Sequence, residues 1–137
     1  MTEKLETIWS DDPYVAALPE NHPFWQAAEE GYFLGKACKT CKKFHWYPRE
    51  ICPFCRSQET HWLPLSGQGH VYACSTLRRA NPPYTLAYVQ LAEGPTILTN
   101  LVDMEQGDMR IGAPVQVVFR RTDDGRMAPK FTKAKQP

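Results

Sequence analysis

Four of the five cysteines fall into two pairs of one spacing, Cys38-x2-Cys41 and Cys52-x2-Cys55, with ten residues between the pairs. A pair two residues apart can turn both sulfurs toward one ion on a tight knuckle. Two knuckles at this separation supply four thiolates, a closed tetrahedral site with no position left for water or substrate. The chemistry is therefore structural metal binding, with zinc as the expected ion. Iron in a rubredoxin-like site fits the same donors, because tetrahedral sulfur suits both metals. Two disulfides would suit a secreted protein, but the segment after Met1 is polar and has no apolar stretch of the kind that directs export, so a cytoplasmic protein is expected. A redox CxxC is normally single and set in a thioredoxin-like pattern, whereas two occur here.

No other residues form a catalytic pattern. His22, His45, His61 and His70 are scattered, without HxxxH or HExxH spacing. A lone histidine is more often a surface or hydrogen-bonded structural residue. Cys74 stands alone beside Val71 and Tyr72, where a small buried thiol in a strand is the ordinary explanation. Gly-rich phosphate loops, serine elbows and carboxylate pairs at helical spacing are missing from the sequence, so a noncatalytic chain is expected.

The 137 residues suffice for one domain or two small lobes, and a 42% hydrophobic, 12% aromatic composition marks a folded protein. No apolar run approaches the roughly 20 residues that span a bilayer. The net charge of +1 gives no overall field to draw in nucleic acid. Its distribution is uneven. Residues 1–35 carry seven acids against Lys4 alone, and residues 36–56 carry six bases against Glu50 alone. Zinc on four thiolates leaves a net charge of −2, which part of that basic cluster offsets.

These features set the elements that must position the cysteines. Residues 1–19 read as an acidic, extended or partly ordered arm, with Trp9 and Tyr14 as possible anchors. Asn21 as N-cap, Pro23 in the first turn and Gly31 as C-terminal cap predict a short helix with Phe24, Trp25 and Ala28 along one stripe. The stripe fits either packing on its own domain or docking on a partner. The ribbon completes a unit over 20–62. Lys42 and Arg56 follow the second cysteine of each knuckle, where Gly is common, and this predicts slightly different turns. From Leu63 the pattern changes to strands, expected at 65–78, 84–93, 95–103, 113–121 and 126–132, with Gly67 and Gly69 marking a bulge or sharp bend. The expected fold is mainly β: an N-terminal helix plus a rubredoxin-like zinc ribbon, followed by a five-stranded OB-fold barrel over 63–133 and a tail at 134–137. Strand counting alone leaves an SH3-like barrel open.

The order Phe24-Trp25-Gln26-Ala27-Ala28, Tyr47-Pro48-Arg49-x2-Cys52-Pro53-x-Cys55, Ser66-Gly67-Gln68-Gly69-x-Val71-Tyr72, Pro82-Pro83-Tyr84, Glu93-Gly94-Pro95, Thr99-Asn100-Leu101-Val102-Asp103, Ile111-Gly112-x-Pro114-Val115 and Pro129-Lys130-Phe131 resembles the zinc-ribbon OB-fold family known as domain of unknown function 35, described as acyl-CoA-associated. The match runs from about residue 20 to 133 and leaves the acidic arm outside. Lys42, where that family often has Gly, and Cys74, where Ser or Thr is usual, depart from it. The resemblance implies a noncatalytic accessory subunit in a hetero-oligomer with a thiolase-like enzyme (thiolase, aldolase or acyltransferase), sharing its acyl-CoA. Arg78, Arg79, Lys130 and Lys133 are the candidate contacts to that ligand's phosphates, although solvated charges that protect strand edges explain them equally. Phe24, Trp25, Trp46 and Tyr47 are the candidate docking residues. The rival reading is single-stranded nucleic-acid binding, with Phe44, Trp46 and Tyr47 beside Lys42, Lys43 and Arg49 as a stacking platform. The near-neutral balance weighs against it.

Overall fold

The computed structural model describes residues 12–135. They form two compact units, one of residues 12–64 with 119–128 and the other of 65–118 with 129–135. No helix among the described residues is long and apolar enough to cross a membrane.

Among the described residues the first unit opens with a short helix, α1 (Pro13–Ala16), in the stretch expected to be an extended or partly ordered arm. Asp12 makes the difference. Its carboxylate accepts from the backbone N–H groups of Tyr14 (3.0 Å) and Val15 (3.4 Å), capping the turn, and Pro13 supplies a helical φ at the first position. Val15 is fully buried, and the buried Asp12 also pairs with Arg126 at 3.0 Å. The Arg126 guanidinium lies 4.6 Å from the Tyr14 ring centroid. Trp9, the other expected anchor, lies outside the described residues.

Helix α2 (His22–Glu29) follows a 3₁₀ turn at Pro19–Asn21. Asn21 occupies the N-cap position, but its side chain makes no capping hydrogen bond. The C-terminus closes as a Schellman motif. Gly31, at φ +86°, donates to the Ala28 carbonyl, and Tyr32 donates to that of Ala27. Glu29 holds Arg121 in a two-pronged ion pair, both contacts 2.9 Å.

The ribbon sheet has the order β2-β1-β3, with β1 (Leu34–Cys38) between β2 (Phe44–His45) and β3 (Thr60–Pro64), all antiparallel. Edge-to-face aromatic contacts fill the space over it: Phe24 lies 4.9 Å from Trp25, 5.6 Å from Trp46 and 6.2 Å from Phe33, and Phe33 lies 6.2 Å from Phe119. Phe24 is only 4% exposed, which corrects its expected place on a docking face. Its ring is spent on the unit's own core. Trp25 and Trp46 are half-buried beside it, and of the four docking candidates only Tyr47 is well exposed, at 58%.

The second unit carries a closed barrel in the order β4-β5-β6-β8-β7, built from β4 (Gln68–Leu77), β5 (Tyr84–Leu91), β6 (Thr96–Leu101), β7 (Pro114–Arg121) and β8 (Met127–Lys133). The last strand enters between the third and fourth and pairs in parallel with the third, Leu101 opposite Phe131. This is OB-type connectivity, and the SH3-like alternative is excluded. Alternation puts Val89, Ile97, Leu101, Val115 and Phe131 inside. The bulge falls between Val71 and Ala73, just after the glycines. The glycines answer close approaches instead: a Cβ on Gly67, at φ +77°, would stand 2.5 Å from Val117 Cγ1, and one on Gly69 would stand 2.6 Å from the Gln90 carbonyl oxygen.

If Phe24 is core, Phe24→Ala lowers the unfolding free energy by about 3–5 kcal/mol. Chemical denaturation checks this, and an unchanged midpoint would return Phe24 to the surface.

Candidate metal centre and barrel clefts

The two knuckles are built alike, atom for atom. In the first, Cys38 donates its N–H to the Lys43 carbonyl (3.0 Å), and Lys42 donates to the Cys38 carbonyl (2.9 Å). In the second, Cys52 donates to the Ser57 carbonyl (2.9 Å), and Arg56 donates to the Cys52 carbonyl (2.9 Å). Lys42 and Arg56 both adopt φ +64°. The expectation of different turns is therefore corrected: non-glycine residues take up the left-handed conformation that the knuckle demands, at a cost of about 1–2 kcal/mol each. The Thr40 and Ser57 hydroxyls meet at 2.9 Å, and the Lys43 ammonium lies 5.1 Å from the Phe54 ring centroid, so further contacts tie one knuckle to the other.

All four sulfurs lie within 4.8 Å of one another. Cys38 Sγ is 3.5 Å from Cys55 Sγ, and Cys41 Sγ is 3.7 Å from Cys52 Sγ. Zinc–sulfur bonds of about 2.3 Å in a regular tetrahedron require edges of about 3.8 Å, so the cluster fits a zinc ion with little adjustment. Backbone N–H groups already point at the sulfurs, from Cys41 to Cys38 (3.5 Å) and from Phe54 to Cys52 (3.4 Å). The Cys41 N–H is the main cause that pulls the Cys38 thiol down to about 6, against the effect of burial. Cys55 is pushed up to about 11: the Ser57 N–H lowers it, but burial and the neighbouring sulfurs prevail. Four thiolates this close repel one another, and a divalent cation is the partner that lets all four deprotonate. Lys39, Lys42, Lys43 and Arg56 are exposed around the knuckles, positive charge beside a site of net negative charge.

Lys36 takes no part in this shell. It is 7% exposed with its ammonium 4.3 Å from the Trp62 ring centroid, and burial lowers its pKa against the opposing charges of Glu50 and Glu20. Two histidines brace backbone. His45 Nε2 lies 3.2 Å from the Arg49 carbonyl oxygen, and burial holds its pKa below the usual value against that contact; His61 Nδ1 lies 3.1 Å from the Ala37 carbonyl oxygen.

In the second unit, two adjoining clefts share Thr76, Gln106 and Met109. One, of about 430 Å³, is lined in addition by Cys74, Ser75, Arg78 and Arg79. The other, of about 650 Å³, has Tyr84, Leu86 and Val102 on its apolar side and Thr85, Asn100 and Lys130 among its polar groups. Arg78, Arg79 and Lys130 thus line this pair of clefts, while Lys133 is outside both linings and lies 3.5 Å from Asp108. A hydrogen-bond chain gives the larger cleft its shape. Gln106 donates to Thr76 (3.2 Å), the Thr76 and Thr85 hydroxyls meet at 2.8 Å, and Asn100 donates to the Thr85 carbonyl (3.1 Å) and accepts from Lys130 (2.5 Å). No sequence signal pointed to Gln106 or Met109 as lining residues, because they sit in a loop far along the chain from the strand they close against, Gln106 lying 30 positions from Thr76. Cys74, half-buried, points its sulfur at the Met109 carbonyl oxygen (3.6 Å).

Two outcomes test the metal centre. Stripping metal with a chelator melts the ribbon, lowering the melting temperature and the near-UV signal of Trp46 and Trp62; unchanged curves would refute a structural ion. With metal bound, Lys42→Gly leaves denaturant stability at or above that of the parent, whereas Lys42→Val lowers it by about 1–2 kcal/mol.

Family models match both halves of the chain. A rubredoxin-like zinc ribbon domain of ChsH2 covers residues 25–61, and the C-terminal OB-fold domain of ChsH2 covers residues 62–120. A DUF35 domain-containing scaffold protein of Methanocaldococcus jannaschii is 39% identical over 113 residues, 74% of this chain and 80% of the relative. The benzoylsuccinyl-CoA thiolase subunit BbsA of Geobacter metallireducens is 34% identical over 74 residues, 51% of this chain and 50% of that protein. The solved structure titled Ltp2-ChsH2(DUF35) aldolase superposes with a TM-score of 0.71 at 28% identity, covering 82% of this chain and 93% of that one. The paired knuckles, the OB-type barrel that follows them in the sequence and these likenesses make the chain a member of the DUF35 family, of the ChsH2 zinc-ribbon and OB-fold kind.

Proposed function

We propose that the chain is a noncatalytic, zinc-binding accessory subunit that docks onto a thiolase-like enzyme in a hetero-oligomer and helps to hold that enzyme's acyl-CoA substrate. The observation that carries this reading is kinship with proteins named as scaffolds and as a thiolase subunit, joined to a four-sulfur cluster whose geometry closes all positions of a metal. Zinc in such a site supplies structure only. The partner brings the nucleophile and the acid–base groups.

The paired clefts support the part played toward acyl-CoA. That ligand has an anionic phosphate head and an amide-bearing, mostly apolar arm. Arg78 and Arg79 offer forked donors to phosphates, and the neighbouring cleft offers apolar wall together with Thr76, Asn100 and Lys130 for amides. Lys133, engaged with Asp108, is the weakest of the four cationic candidates.

The test is recovery of the tagged chain from its native source with identification of what accompanies it. A thiolase-like enzyme in fixed stoichiometry is expected, and a replication or transcription protein instead would overturn the reading. In the recovered complex, Arg78→Ala with Arg79→Ala weakens acyl-CoA binding by roughly tenfold or more, as loss of charge-assisted bonds to phosphate does. Salt-sensitive binding of an oligothymidine strand with no response to acyl-CoA would favour the nucleic-acid rival.

A further inference from the structure

The outward positions of three neighbouring barrel strands make a face without a formal charge. Tyr88 stands opposite Ala73 on β4 and Leu98 on β6; two residues along, Leu86 stands opposite Ser75 and Asn100, and Tyr84 ends the row opposite Leu77. The same register places His70, Gln90 and Thr96 at the far end, and Tyr72 is the extra residue at the β4 bulge. Tyr72 is 62% exposed, Tyr84 46%, Leu86 37%, Tyr88 49% and Leu98 48%. A soluble surface with about 25–35% charged residues would put about three among these dozen positions. Here Asp, Glu, Lys and Arg are all missing. The cations lie at its margins: Lys130 on the next strand, hydrogen-bonded to Asn100, and Arg78 and Arg79 just past Leu77 at the end of β4.

The absence of charge limits what can cover the face. A nucleic-acid strand needs cations for its phosphates, and the face offers none. A strongly charged peptide would have its charges desolvated without counterparts. Exposed tyrosines and leucines with no charge between them match the central part of a protein–protein interface. The face is also continuous with a cleft: Tyr84, Leu86 and Asn100 belong both to it and to the lining of the 650 Å³ cleft. A subunit seated here becomes a wall of that cleft. Resting on the accessory-subunit reading above, we infer that the Tyr84–Leu86–Tyr88–Leu98 face is the seat of the thiolase-like subunit, which meets it with an uncharged surface and closes the cleft from the side. A second copy of this chain would bring its own cleft and no active site to serve.

The experiment introduces one charge at the centre of the face, Tyr88→Glu, and separately Leu98→Asp, with circular dichroism and melting curves confirming that each variant folds. Each is mixed with the thiolase-like enzyme recovered alongside the parent chain, and affinity is read by calorimetry. Both variants are expected to weaken the complex by roughly tenfold or more, the range of a central interface residue. Hydrogen exchange in the parent complex is expected to show protection of 84–88 and 96–100 relative to the free chain. Full affinity in a folded variant, or no protection at these strands, overturns the seat while leaving the accessory role intact. Failure of the parent chain to recover any thiolase-like enzyme overturns the accessory role and the seat together. Sedimentation supplies the last arm: a parent dimer that Tyr88→Glu dissociates would assign the face to a second copy and overturn the inference.

Discussion

Four sulfurs within 4.8 Å of one another are the constraint on which the first unit depends. Little else in the ribbon could hold it. Its strands are five residues or fewer, and β2 is a single pair, Phe44–His45. Strands this short do not persist on backbone hydrogen bonds alone. A tetrahedral ion fixes both knuckles at once, and everything attached to them follows: Cys38 is the last residue of β1, Phe44 begins β2 after the first knuckle, and Thr60 begins β3 after the second. Lys42 and Arg56 in the left-handed region show how far the chain goes to meet that demand, since each gives up the conformational comfort that glycine would have provided.

The metal-binding apex and the barrel solve different problems. The ribbon has too little apolar surface to fold by burial, so it relies on coordination and on the aromatic cluster of Phe24, Phe33 and Trp46. The barrel carries its own apolar interior, with Val71, Val89, Val115 and Phe131 fully buried, and its glycines serve contact distance where strands press together.

Much of this was legible in the sequence, for physical reasons. Cysteine spacing encodes the site because each knuckle is local: the backbone hydrogen bonds that close its turn, such as Lys42 to Cys38 and Arg56 to Cys52, stay within the turn itself. The barrel strands showed through period-two alternation, and Asn81-Pro82-Pro83 and Asp123-Asp124-Gly125 marked their ends. What could not be read was whatever depends on distant pairs. The stripe of Phe24 fitted both its own core and a docking face, because nothing in it named Trp46 and Phe33 as the side chains that surround it. Asp12 looked like one more acid in a charged arm, when its partner is Arg126, 114 residues away. The clefts were equally hidden, since Gln106 and Thr76 meet only once the barrel closes.

The membership of residues 119–128 in the first unit has a consequence for the order of events in the cell. Phe119, Arg121 and Arg126 supply the partners of Phe33, Glu29 and Asp12, so the first unit lacks three of its contacts until residues 119–126 have been made. A nascent chain leaving the ribosome at about 5–20 residues per second can load metal into its knuckles long before those arginines emerge. The ion is then the early, local hold on the unit, and the arginine hairpin is the late one. A chain that stops short of residue 126 would hold its metal but leave the Asp12 carboxylate without its cation, a defect that marks it out from one that has passed that point.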